Sequence, residues 1–168
     1  MTRRDFILKW TAYGVVLALV AVLNYCVLTF LPLGGVPLMI PAMAVEVGVL
    51  EGASAGAGFG LAAGVVMAAA VHGSPLWVCG LAAVGWVCGL LAQYVLRRDI
   101  VGYLLACLIG GMLFALCQVA VRLMGGTAGL AALARVAAPE FLWTMVFSLP
   151  VYGGCRFCCR HYGRIYHE

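Results

Sequence analysis

Gly48-Val49-Leu50-Glu51-Gly52-Ala53-Ser54-Ala55-Gly56-Ala57-Gly58-Phe59-Gly60-Leu61-Ala62-Ala63-Gly64 places a glycine at every fourth position, and Ala68 extends the series. From Gly52 to Leu96 the chain carries no Asp, Glu, Lys or Arg. In water each glycine inside a helix costs about 1 kcal/mol relative to alanine, so such a ladder would undo the helix that carries it. In lipid, helices associate through close backbone approach, and small residues four apart create the groove that allows it. The stretch therefore reads as a membrane helix built for tight packing. Glu51-Gly52 interrupts it, because glycine ends helices readily. Gly48 and Gly52 then close a second helix, while Gly56, Gly60, Gly64, Ala68 and His72 share a face of a third. Steps of four on a 3.6-residue helix drift by about 40° each, which winds the groove around the helix and suits right-handed crossings.

Composition extends this reading to the whole chain. Of 168 residues, 65% are hydrophobic and 10% charged, with a mean hydropathy of +1.10. Soluble domains carry about 25% charged residues. At about 20 residues per span, six short helices nearly use up the chain and leave no room for a soluble catalytic domain. The expected fold is a single all-α membrane domain over residues 1–168, with spans near 10–31, 36–50, 54–72, 76–96, 100–122 and 139–155. The first begins after Arg3, Arg4 and Lys9; its spanning length marks it as retained, not as a cleaved signal peptide. Ser54 is a candidate N-cap for the third helix, and Pro139 suits the first turn of the sixth. Between the fifth and sixth spans, Met124 to Ala138 reads as a short helix on the membrane surface, or otherwise a plain loop.

The basic clusters are Arg3/Arg4/Lys9, Arg97/Arg98 and Arg156/Arg160/Arg164. Six spans with a cytoplasmic N-terminus put all three inside, as the positive-inside rule asks. The net charge of +4 is then mostly topology, which excludes nucleic acid as the expected partner.

Several polar residues interrupt the apolar runs. Glu46 lies inside the second span, where a carboxylate is expensive. It is either a polar contact or ligand site within the bundle, or an interfacial residue that snorkels to the headgroups. Glu51 reads as a solvated helix end. Asn24, Gln93 and Gln118 are candidates for hydrogen bonds between helices. Cys155, Cys158 and Cys159, followed by His161, suggest a metal only weakly, because no second ligand pair accompanies them. Juxtamembrane packing is the expected role, with acylation as the alternative, and neither metal nor cofactor is expected. No nucleophile-base pair, phosphate loop or metalloprotease helix is visible, and no enzymatic activity is expected.

Glycines recur at helical spacing further along, at Gly85 and Gly89 in the fourth helix and at Gly102, Ala106 and Gly110 in the fifth. Gly56, Gly60 and Gly64 are expected to pack within the bundle. Gly85, Gly89, Gly102 and Gly110 are the expected lipid-facing groove for a partner.

The segment from Pro37-Leu38-Met39-Ile40-Pro41 through the ladder to Gly64 resembles MreD, the small multi-span family of the bacterial rod-shape machinery. The late Pro150-Val151-Tyr152 before a basic tail is similar to the family's last helix. One position departs: the family usually carries aspartate four residues after the last ladder glycine, where this chain has Ala68. The resemblance implies a six-helix fold related to the substrate-binding subunits of energy-coupling-factor transporters. It also implies a bacterial inner-membrane location and a single-span partner of the MreC type, with links to the filament MreB and to the synthase RodA with its transpeptidase. Two functions compete. One is a non-enzymatic scaffold of cell elongation that helps direct peptidoglycan synthesis. The other is a substrate-binding subunit for uptake of a vitamin or another small molecule.

Overall fold

A computed structural model describes residues 3–30, 38–71, 75–95, 100–124 and 130–162. Its described residues form six α-helices: α1 (Arg3–Val22), α2 (Met39–Glu51), α3 (Ala53–Val71), α4 (Leu76–Tyr94), α5 (Ile100–Met124) and α6 (Leu130–Tyr162). After α1 the chain loosens into a π-helical turn, Leu23–Val27, and a 3-10 turn, Leu28–Phe30. Among the described residues four stretches are long and apolar enough to cross a membrane, Arg4–Cys26, Ala53–Ala70, Leu76–Tyr94 and Val101–Ala120, where six spans were expected. The outward faces bear large apolar side chains, among them Val15, Leu19, Val65, Leu116 and Val146. Exposed apolar surface on this scale, spread over several helices, belongs against lipid. The chain is a helical membrane protein.

At the centre is α2. All 13 of its residues are buried, enclosed by the other helices. Its sequence explains this placement, since Met39 to Leu50 is apolar all round apart from Glu46 and offers no polar face to solvent. Pro41 falls in its first turn, where a missing N–H costs nothing. At about 20 Å, α2 is shorter than the ~30 Å of bilayer hydrocarbon. A helix walled in by protein need not match that thickness.

Gly52, at φ 101°, turns the chain between α2 and α3. This is left-handed backbone that residues with a side chain avoid, so the Glu51-Gly52 break falls where the sequence sets it. Ser54 is a different matter. With α3 starting at Ala53, it lies exposed in the first turn instead of capping the helix.

Helices α3 and α4 run antiparallel and touch backbone to backbone. As α3 advances through Ala53, Gly56, Gly60 and Gly64, it meets Gly89, Gly85, Leu81 and Val78 of α4. Helices α4 and α5 are also antiparallel, with Cys88 Sγ donating to the Ala106 carbonyl at 3.7 Å and Trp77 edge-on to Phe114. Between α5 and α6, Tyr103 stacks on Tyr152 at 4.4 Å.

One expectation fails in this region. The helix predicted to lie on the surface before Pro139 and the sixth span after it are one continuous helix of 33 residues, with Pro139 and Pro150 inside it. Proline removes one N–H and crowds the preceding turn, which disfavours a helix interior without forbidding it. Packing of α6 against α1, α2 and α5 outweighs that local preference. His72, once expected on the ladder face, lies outside the described residues.

Candidate functional site

Two buried features stand out: a glycine-lined helix core and a set of polar groups embedded in it. In the core, a β-carbon on Gly60 would stand 2.5 Å from the Leu81 carbonyl oxygen, and one on Gly64 2.6 Å from the Val78 α-carbon. On Gly56 it would stand 2.5 Å from the Gly85 carbonyl oxygen and 2.6 Å from the Gly48 α-carbon. These obstacles are backbone atoms of neighbouring helices, which cannot swing aside as a side-chain end can. Gly56, Gly60 and Gly64 are therefore packing residues.

Gly85, Gly89, Gly102 and Gly110 are also buried, contrary to the lipid-facing groove expected of them. A β-carbon on Gly85 would strike the Gly56 carbonyl oxygen, and on Gly89 it would stand 2.5 Å from the Ala53 α-carbon. On Gly110 it would meet Val45 at 2.6 Å and Cys88 Sγ at 2.8 Å. The central position of α2 is the reason, because it gives α3, α4 and α5 a common interior surface to cover. Small residues four apart that stay on the outside include Gly14 and Ala18 of α1, and Gly58 and Ala62 of α3. Gly14 and Gly58 have nothing within 4 Å of a β-carbon.

The polar set begins with Lys9 and Glu51. They form a salt bridge in which both side chains are 0% exposed. Tyr13, one turn after Lys9 on α1, donates its hydroxyl to Glu51 Oε1 at 2.8 Å. Glu51 is thus no solvated helix end, and Lys9 is spent on an internal partner instead of a cytoplasmic patch. Among the described residues, Arg3 and Arg4 of α1, and Arg156 and Arg160 of α6, also lie toward this end. Cys158 and Cys159 of α6 lie close enough to Lys9 and Tyr13 to act on them electrostatically. The first turns of α1, the α2–α3 corner, the last turns of α4 and the end of α6 therefore gather at one end of the bundle.

Glu46 lies on α2 slightly more than one turn before Glu51, and its side chain is fully buried. Neither of its carboxyl oxygens has a well-formed hydrogen bond among the described residues; the Cys155 thiol is the polar group lying against it. Burial by protein on all sides excludes the snorkelling alternative. Nearby, Tyr103 donates to the Ser148 carbonyl at 3.1 Å. Cys155, Cys158 and Cys159 are buried on α6, and among the described residues no three His, Cys, Asp or Glu side chains converge as a metal site would require.

The three amides part ways. Asn24 is buried in the π-helical turn. Gln93 is exposed near the end of α4, so it does not bridge helices within the bundle. Gln118 is half-buried and lines a cleft between α2, α5 and α6 at the end opposite the ion pair.

Sequence reasoning missed Lys9 and Tyr13 as members of a buried site. The available signal was weak: one lysine at the rim of an apolar run, and a tyrosine four residues later on the same face. The chain matches no protein-family model, no curated protein and no solved structure.

Proposed function

We propose that this protein is a non-enzymatic scaffold of the bacterial cell-elongation machinery, of the MreD type. It crosses the inner membrane six times with both termini in the cytoplasm. The observation that carries the reading is the bundle itself: a glycine-packed helical core, in which Lys9, Tyr13 and Glu51 are spent on one another, joined to the MreD-like Pro37-to-Gly64 segment. Alternation of antiparallel helices, with the start of α1 and the end of α6 at the same end, supports an even number of crossings.

The partner is a single-span protein of the MreC type, and through it the complex reaches MreB and the RodA–transpeptidase synthase. A single helix binding in lipid needs close backbone approach. The outward-facing small residues on α1 and α3 meet that need, at Gly14/Ala18 and Gly58/Ala62. The competing reading, a substrate-binding subunit for vitamin uptake, calls for a pocket of about 300–1,000 Å³. The cleft between α2, α5 and α6 has an interior of about 20 Å³, room for a single water.

Affinity purification in mild detergent tests the proposal. Recovery of a single-span membrane protein supports it, and recovery of a pair of ATPases with a second multi-span subunit favours the transporter. Cysteine cross-linking refines the outcome, since an adduct at Gly58 or Ala62 locates the partner on the outer face of α3.

A further inference from the structure

Glu46 is the buried titratable group to which neither the helix packing nor the ion pair gives a task. Its side chain is 0% exposed, on a helix that the other five enclose. Neither carboxyl oxygen has a well-formed hydrogen bond among the described residues. The Cys155 thiol of α6 lies against it, and a charge on Glu46 would also be felt by Cys158 of α6 and by Tyr103 and Cys107 of α5. All four of these side chains ionise to anions, so none of them can neutralise a carboxylate. The other elements around α2 add no cation at this level. Helix α3 has no titratable side chain, and the buried one on α4 is Cys88, beside Cys107. From α1, Lys9 and Tyr13 are turned to Glu51, more than one turn further along α2. On α6, Arg156 lies over the Tyr152 ring and Arg160 is exposed, as is Arg122 in the last turn of α5.

A carboxylate holds its charge through water, hydrogen-bond donors or a cation. One that is buried without them takes up a proton instead. The neutral acid asks far less of its surroundings, and a weak donor such as the Cys155 thiol suits it. A metal ion does not replace the proton here, since among the described residues no three His, Cys, Asp or Glu side chains converge.

We propose that Glu46 is a proton-binding site: the bundle closes around α2 with this carboxyl as the neutral acid. Solvent supplies the proton to a carboxylate oxygen before α2 is enclosed, and no other group changes charge. The two glutamates of α2 are then neutralised differently, Glu51 by the Lys9 cation and Glu46 by a proton. Folding takes up that proton wherever the glutamate of the unfolded chain is already ionised, above about pH 4.3. The unfolded chain holds one proton fewer, so rising pH favours it, and the unfolding constant grows about tenfold per pH unit. This inference goes beyond the scaffold reading and does not depend on it.

The full-length protein, purified in mild detergent, is compared with Glu46→Gln by infrared spectroscopy near neutral pH. The parent should show a protonated-carboxyl C=O band that the variant lacks, while carboxylate absorption is equal in the two. Reversible unfolding by SDS, measured at about pH 6 and about pH 8, gives a second reading that does not rely on the spectrum. Over that interval the parent's unfolding constant should rise about a hundredfold more than the variant's, tenfold per pH unit for the one proton released. Should Glu46→Gln fail to fold, Glu46→Leu takes its place in both measurements. A parent spectrum with an extra carboxylate band in place of the acid band would overturn the proposal. So would unfolding constants that change with pH alike in parent and variant.

Discussion

Replacing Lys9 with methionine removes the cation that neutralises Glu51 while keeping most of the stem's bulk. Both side chains of the pair are 0% exposed, so water cannot take over the lost interaction. Breaking a buried ion pair from one side costs about 3–5 kcal/mol, most of it the penalty of a stranded charge. The Tyr13 hydroxyl still donates to Glu51 at 2.8 Å, which sets the expectation at the lower end, about 3 kcal/mol. Glu51→Gln alone should cost a similar amount by stranding Lys9. The double variant Lys9→Met/Glu51→Gln leaves no charge behind, and the glutamine can still accept from Tyr13, so it should lie within about 1 kcal/mol of the parent. Reversible unfolding by SDS in mixed micelles, followed by circular dichroism, measures all four proteins. A double variant as unstable as the sum of the two singles would show that the residues are not coupled. The buried triad and the placement of α1 against α2 would then both be wrong.

The remaining predictions follow from local geometry. Gly60→Ala should destabilise the bundle by at least about 1–3 kcal/mol through a backbone clash, and Gly60→Leu should abolish folded yield. Gly58→Ala, on the same helix but with open space around it, should be neutral or stabilising by up to about 1 kcal/mol in the same unfolding assay. Glu46→Leu should raise stability by about 1–3 kcal/mol, because a buried carboxyl whose one polar neighbour is the weakly bonding Cys155 thiol is removed; a stable variant that fails to support rod shape would assign Glu46 a working role. Thiol labelling in intact cells should find residues 34, 74 and 128 outside and residues 54 and 98 inside, and an outside signal at residue 98 would rule out the six-span topology.

The helices most legible in the sequence are those whose neighbours are dictated by composition. The glycine ladder marked α3 as a closely packed helix, because only a missing β-carbon allows backbones so close, though it did not say that α4 is the neighbour; Glu51-Gly52 marked the corner because Gly52 adopts a positive φ. What the ladder could not convey is which helix lies in the middle. With α2 enclosed, Gly85, Gly89 and Gly110 turn inward, and the groove expected for a partner is occupied by the protein itself. The same enclosure takes Glu51 from solvent to the core. Charge patterning treated Lys9 as one more basic residue, because a one-dimensional count cannot see a carboxylate 42 positions away across the bundle. Pro139 misled for a related reason: its local preference is to start a helix, and tertiary packing carries α6 through it.

The central claim is that this chain acts by holding another membrane protein in the elongation machinery. Depletion in a rod-shaped host, with cell aspect ratio measured and the depleted strain complemented by chosen variants, tests it most directly. Depleted cells should round up, the parent gene should restore rods, and Gly58→Leu/Ala62→Leu should stay in the membrane at normal level yet fail to restore them. Cells that keep their shape on depletion, and instead lose uptake of a vitamin, would contradict the scaffold and favour a transporter subunit.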